Sequence, residues 1–163
     1  MSVTTEKMSS IVDRSQWIRL LSKLDAEQVV AEVNTLSSGW QITPKSLPQS
    51  GLAMLKLEDS AYNEPFYLGE IPLATAWVDI VTPEGSNADG AAQVMVDNLE
   101  FVQALAVCDG ILANRLPGYE RIDELLRQGL EQCNREEQRR KNMLAATRVD
   151  FSLLDAVEDD DEN

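Results

Sequence analysis

The chain has 163 residues and a formal net charge of −14, set by 28 Asp and Glu against 14 Lys and Arg, with no histidine and 44% hydrophobic residues. That length and apolar content suit one compact domain, and the acidic balance argues against a nucleic-acid surface, which needs Lys and Arg to neutralise phosphates. No apolar run approaches the about 18 residues of a membrane span, and the opening MSVTTEKMSS has no apolar core of a signal peptide, so a cytoplasmic protein with no membrane contact is expected.

Residues 1–12 lack periodicity and are expected to be disordered, ahead of a single domain over 13–157 and an acidic tail over 158–163. Trp17, Leu20, Leu21 and Leu24 fall at i, i+3, i+4 and i+7, one apolar stripe of a helix that Asp13 or Ser15 can cap. A second helix follows at once, with Asp25 and Gln28 at capping-box spacing, Val29, Val33 and Leu36 on its buried face and Gly39 at its end. The two form an N-terminal helical hairpin.

From Trp40 the period changes. Pro44, Pro48 and Gly51 punctuate the chain, and strands are expected near 51–58, over 66–70, over 73–81 and over 91–96, with a loop from Pro83 to Gly90. Asn98 can cap a helix carrying Phe101, Leu105, Cys108 and Leu112, and Pro117-Gly118 separates it from a last helix. Helices, then strands, then helices predict an α+β fold with a central, mainly antiparallel sheet of about four strands and C-terminal helices. Trp17 and Trp77 both sit in apolar periodic settings and are expected in the core.

The last helix changes character along its length. Ile122, Leu125, Leu126, Leu130 and Cys133 form a core-facing stripe, but Asn134 to Asn142 contains no apolar residue. Three acid-then-base pairs at i, i+4 (Glu131 with Arg135, Glu136 with Arg140, Glu137 with Lys141) support a helix standing in water. Apolar residues then return, and Met143, Leu144, Arg148, Val149, Phe151 and Leu154 form a candidate partner interface beyond that polar arm. The alternative is that this segment folds back onto its own domain.

Catalytic constellations are mostly excluded by composition. Without histidine there is no Ser-His-Asp or Cys-His arrangement. Cys108 and Cys133 are too few and too far apart in sequence for a zinc or iron–sulfur site and read as reduced packing residues. No Gly-rich phosphate loop occurs, since Gly85 and Gly90 flank a stretch without Lys. Asp79, Asp97 and Asp109 remain as acid–base groups, with Asp109 near an apolar helical face and read first as a capping, hydrogen-bonded or exposed carboxylate. No catalytic, cofactor-binding or metal-ligating residue is therefore assigned. A carboxylate-only enzyme and a free-standing adaptor docking through its C-terminal helix stand as alternatives to a structural subunit.

Several short segments in order carry a family resemblance: Gln16-Trp17 with Leu20-Leu21, Gly51-Leu52, Phe66-Tyr67-Leu68-Gly69-Glu70 followed by Leu73, Ala76 and Val78, and the terminal Arg148-Val149-Asp150-Phe151. With these the chain resembles the PhnG family, subunits of the carbon–phosphorus lyase complex of phosphonate metabolism. It departs from the family pattern at Ala74-Thr75 and Val96-Asp97-Asn98, where relatives carry arginines at the positions of Thr75 and Asp97. The resemblance implies a bacterial, cytoplasmic scaffolding subunit with PhnI-like, PhnJ-like and PhnH-like partners and PhnK-like and PhnL-like ATPase subunits. It further implies that ATP, an iron–sulfur cluster and S-adenosylmethionine are bound by those partners, and that the chain supports PhnI in making ribose 1-phosphonate 5-triphosphate.

Overall fold

A computed structural model of the chain describes residues 8–146. A short helical turn α1 (Met8–Ile11) precedes the helical hairpin α2 (Arg14–Leu21) and α3 (Ala26–Leu36). The strands β1 (Gln41–Glu58), β2 (Pro65–Val81) and β3 (Asn87–Val94) follow, and then α4 (Leu99–Asn114) and α5 (Tyr119–Ala146). The strands form one antiparallel sheet in the order β1-β2-β3, and the α+β order of elements is as the sequence predicts.

Among the described residues the sheet has three strands where about four are expected, and the difference has local causes. The segments 66–70 and 73–81 are one strand, because Pro72 sits where β2 has no neighbour on its β3 side: β3 pairs only with Ala74 to Val81. β1 begins ten residues earlier than expected, at Gln41. Pro44 and Pro48 are tolerated because β1 is an edge strand, and irregularities in register lie between Pro44 and Ser46 and between Ser46 and Gln49. The expected loop from Pro83 to Gly90 is shorter, since β3 already starts at Asn87 and ends at Val94.

Helix entries follow the sequence signals. Asp13 accepts a hydrogen bond from Ser15 N at 2.8 Å, Asp25 from Gln28 N at 3.0 Å and Asn98 from Phe101 N at 2.9 Å, each satisfying an amide that the first helical turn leaves unpaired. The Ser15 contacts hold the Asp13 carboxyl below its usual range. Met8 and Ser9, at the start of α1, are held against α5. Asp123 of α5 accepts from the amides of Met8 and Ser9 at 3.0 and 2.8 Å, Ser9 and Tyr119 share a short hydroxyl contact, and Met8 is buried.

The core lies between one face of the sheet and the helices. Ala74, Ala76, Val78 and Ile80 point inward from β2, and Leu20, Leu21, Val29, Leu105, Ile111, Ile122 and Leu126 meet them in one buried cluster. Small residues set the closest approaches. A Cβ on Gly90 would stand 2.0 Å from Ala106 O and 2.5 Å from Gly110 N, so β3 lies on the α4 backbone with no room for a side chain. A Cβ on Gly129 would stand 2.3 Å from Leu20 O, which places α5 equally close to α2.

Trp17 is buried, its Nε1–H donating to Val12 O at 3.0 Å. Trp77 corrects the expectation of a core residue: it alternates with the inward Ala76 and Val78 and stands 46% exposed on the far face of the sheet.

Candidate functional site

The carboxylates singled out in the sequence do not converge. Asp109, in the buried face of α4, accepts from Arg14 Nε at 2.9 Å, Arg14 Nη2 at 2.7 Å and Ala91 N at 3.1 Å. This fork clamps α2 to α4 and to β3, and Asp109 holds the Arg14 guanidinium even more firmly protonated than usual. Asp79 stands on the opposite face of the sheet. It is paired in register with Asp89, and Lys45 relieves the two like charges, with its Nζ 2.9 Å from Asp79 Oδ1 and 3.5 Å from Asp89 Oδ2. Trp77 donates to Asp89 at 3.1 Å and carries the Lys45 ammonium 4.9 Å from its ring centroid. The Trp77 bond and the Lys45 charge hold the Asp89 carboxyl below its ordinary range, while Asp79 raises Lys45. Asp97, before α4, accepts from Ser50 Oγ of β1. Each carboxylate thus has a structural partner of its own.

Two clefts are candidates for ligand chemistry. One of about 270 Å³ between α3, α4 and the sheet is lined by Val30, Val33, Asn34, Ile42, Val78 and Gln103, with Glu100 the one charged side chain among the described residues. A phosphate would meet no cation among them. The second, about 560 Å³ between α2 and α5, gathers Arg19, Lys23, Arg140 and Lys141 with Glu136 and Glu137. Lys23 pairs with Glu136 at 2.6 Å and Lys141 with Glu137 at 2.7 Å, each cation lowering its partner's carboxyl pKa. The cleft is an ion-pair seam in which Lys23 with Glu136 ties the start of the polar half of α5 to the helical hairpin, while Lys141 with Glu137 lies within α5. The expected Glu136 to Arg140 pairing gives way to this contact with Lys23, whereas Glu131 and Arg135 pair at 3.1 Å as predicted. Among the described residues no group of three or more His, Cys, Asp or Glu side chains is placed to hold a metal ion.

Among the described residues, exposed apolar side chains are prominent at two places that matter for binding. The first is the end of α5, where Met143 and Leu144 are 63% and 64% exposed after a polar half-helix. Arg148, Val149, Phe151 and Leu154 of the same candidate interface lie outside the described residues, as does the acidic tail. The second went unrecognised in the sequence: the distal halves of β1 and β2 run beyond β3 as a two-stranded arm. Its signal is the uninterrupted apolar run from Leu52 to Leu55, since neighbours along a strand face opposite ways and a one-sided strand would have alternated with polar residues.

Among the described residues no helix is long and apolar enough to cross a membrane. The chain is similar to the alpha-D-ribose 1-methylphosphonate 5-triphosphate synthase subunit PhnG of Rhizobium meliloti (strain 1021), 23% identical over 155 residues that cover 95% of this chain and 96% of the relative. A family model described as phosphonate metabolism protein PhnG matches residues 12–155. Because that match spans the helical hairpin, the sheet and both C-terminal helices, the chain belongs to the PhnG family.

Proposed function

We propose that this chain is a non-catalytic, structural subunit of a carbon–phosphorus lyase complex in the catabolism of organic phosphonates. In this reading it supports a PhnI-like partner in forming ribose 1-phosphonate 5-triphosphate from ATP and a phosphonate. The observation that carries the proposal is membership of the PhnG family over residues 12–155 by a chain whose Asp79, Asp97 and Asp109 are each tied to a separate structural contact. Moving a phosphonate onto the ribose carbon as adenine leaves calls for clustered cations around a triphosphate and a group that handles the leaving base. This sequence has no histidine, and the ion-pair seam between α2 and α5 neutralises Lys23 and Lys141 within the chain.

The partners proposed are PhnI-like, PhnJ-like and PhnH-like subunits, with PhnK-like and PhnL-like ATPases joining them in the cytoplasm. ATP, the iron–sulfur cluster and S-adenosylmethionine are assigned to those partners. Met143 and Leu144, with Arg148, Val149, Phe151 and Leu154 following in sequence, are proposed as one contact with them, because the polar half of α5 carries Met143 and Leu144 away from the core.

The test is adenine release from ATP in the presence of methylphosphonate, using purified PhnI-like, PhnH-like and PhnL-like subunits with and without this chain. Release should require the chain, and the chain alone should release none. Turnover by the chain alone, or equal turnover without it, would contradict the proposal.

A further inference from the structure

Residues 51–73 form an antiparallel arm with register from Gly51 opposite Leu73 to Glu58 opposite Pro65. At about 3.4 Å per residue its strands extend ~25 Å. β3 pairs with β2 only from Ala74 onward, so among the described residues no third strand lies on either edge of the arm, and the β1 edge from Gly51 to Glu58 contains no proline to block a further strand. Both faces are apolar as well. Leu52, Met54, Tyr67 and Leu68 are 59–68% exposed, and Leu57 and Phe66, opposite each other in register, are 38% and 44% exposed. A bare two-stranded ribbon is marginal in water, and apolar surface on this scale marks an interaction site.

The charge of the arm selects what covers it. Lys56 stands against Glu58, Asp59, Glu64 and Glu70, one positive charge to four negative. Two occupants this chain could itself supply are also acidic: a second copy carries −14, and residues 147–163 hold Arg148 against Asp150, Asp155 and the run from Glu158 to Glu162. Either would bring like charges together around the apolar contact.

We infer that residues 51–73 are a docking arm that inserts into an apolar cleft rimmed by Lys and Arg on a different protein subunit. For the set of proteins in which that subunit is sought, the inference rests on the proposed complex membership. The packed core is built by α2 to α5, β3 and the inner half of β2, so substitutions at the exposed positions of the arm change docking without changing the fold.

The experiment compares the wild-type chain with Leu52→Asp, Phe66→Asp and the triple variant Glu58→Lys/Glu64→Lys/Glu70→Lys, each co-expressed with the other phosphonate-complex subunits. Affinity for the purified partner assembly is measured at low and high salt, and thermal melting is measured on each chain alone. Leu52→Asp and Phe66→Asp should each weaken binding at least about 30-fold with the melting midpoint unchanged. The triple variant should bind more weakly at low salt, with the difference shrinking as salt rises.

Wild-type affinity in all three variants would overturn the arm while leaving complex membership standing. A wild-type chain that assembles with none of the subunits would remove both. Deuterium uptake serves as an independent readout on the unmutated protein: residues 51–73 should be protected in the assembly and open in the chain alone, and an absence of added protection overturns the inference. So does a homodimer of the isolated chain that Leu52→Asp abolishes, or an arm that opens when residues 147–163 are removed, since either names an occupant from this chain itself.

Discussion

Arg14 and Asp109 meet as a two-point fork, Nε and Nη2 of the guanidinium donating at 2.9 and 2.7 Å to the two oxygens of a carboxylate that is only 6% exposed. The pair joins the first long helix to the fourth, and the Ala91 amide ties β3 to the same carboxylate. Arg14→Ala leaves a buried charge with one backbone donor and should cost about 3 kcal/mol in a urea titration. Arg14→Lys keeps the charge but loses the planar fork and should fall in between. The losses for Arg14→Ala and Asp109→Ala should be non-additive in the double variant. A cost below about 1 kcal/mol for Arg14→Ala would show that the clamp contributes little.

Gly90 makes a sharper test of the packing of sheet on helix. Its Cβ would fall inside the van der Waals radius of the α4 backbone, and backbone cannot swing away as a side chain can. Gly90→Ala should cost at least about 3 kcal/mol, the upper end for overpacking. Gly69→Ala in the arm is the control, because nothing lies within 4 Å of its Cβ position and the melting midpoint should barely move.

The two thiols should separate by reactivity. Burial, and then the neighbouring Asp109 carboxylate, push Cys108 up to about 12, so it should resist alkylation in the folded protein at pH 8 while the half-buried Cys133 reacts. The sign of the pH effect follows. A thiol whose folded pKa exceeds its unfolded value near 9 favours the folded state below about pH 9, and that contribution is lost as pH rises from there toward 12. Urea midpoints should therefore fall above pH 9, and Cys108→Ala should flatten the decline. Equal labelling of both cysteines in the native protein would contradict this placement.

The sequence was most informative where one residue's role is local. Asp13, Asp25 and Asn98 cap the helices expected of them, because a cap needs only its own turn. The apolar stripe through Trp17, Leu20 and Leu21 is buried as its spacing predicts. Errors came where a neighbouring strand decides the outcome. Pro44, Pro48 and Pro72 look like breaks, yet each sits on a strand edge without a required donor. Trp77 looks like core because its neighbours are apolar, but period-two alternation turns it to the far face, where Lys45 and Asp89 engage it. Asp123 gave no sequence signal for tying down residues 8 and 9, since its partners lie more than a hundred positions away. The polar half of α5 was legible from composition alone, whereas the β-arm required the register.

Native mass spectrometry of this chain co-expressed with its PhnI-like, PhnH-like and PhnJ-like counterparts decides whether it is a subunit of that assembly. The expected result is a heteromeric species containing the chain together with the PhnI-like subunit. Assembly of the other subunits into the same complex without the chain, with the chain found only on its own, would contradict it.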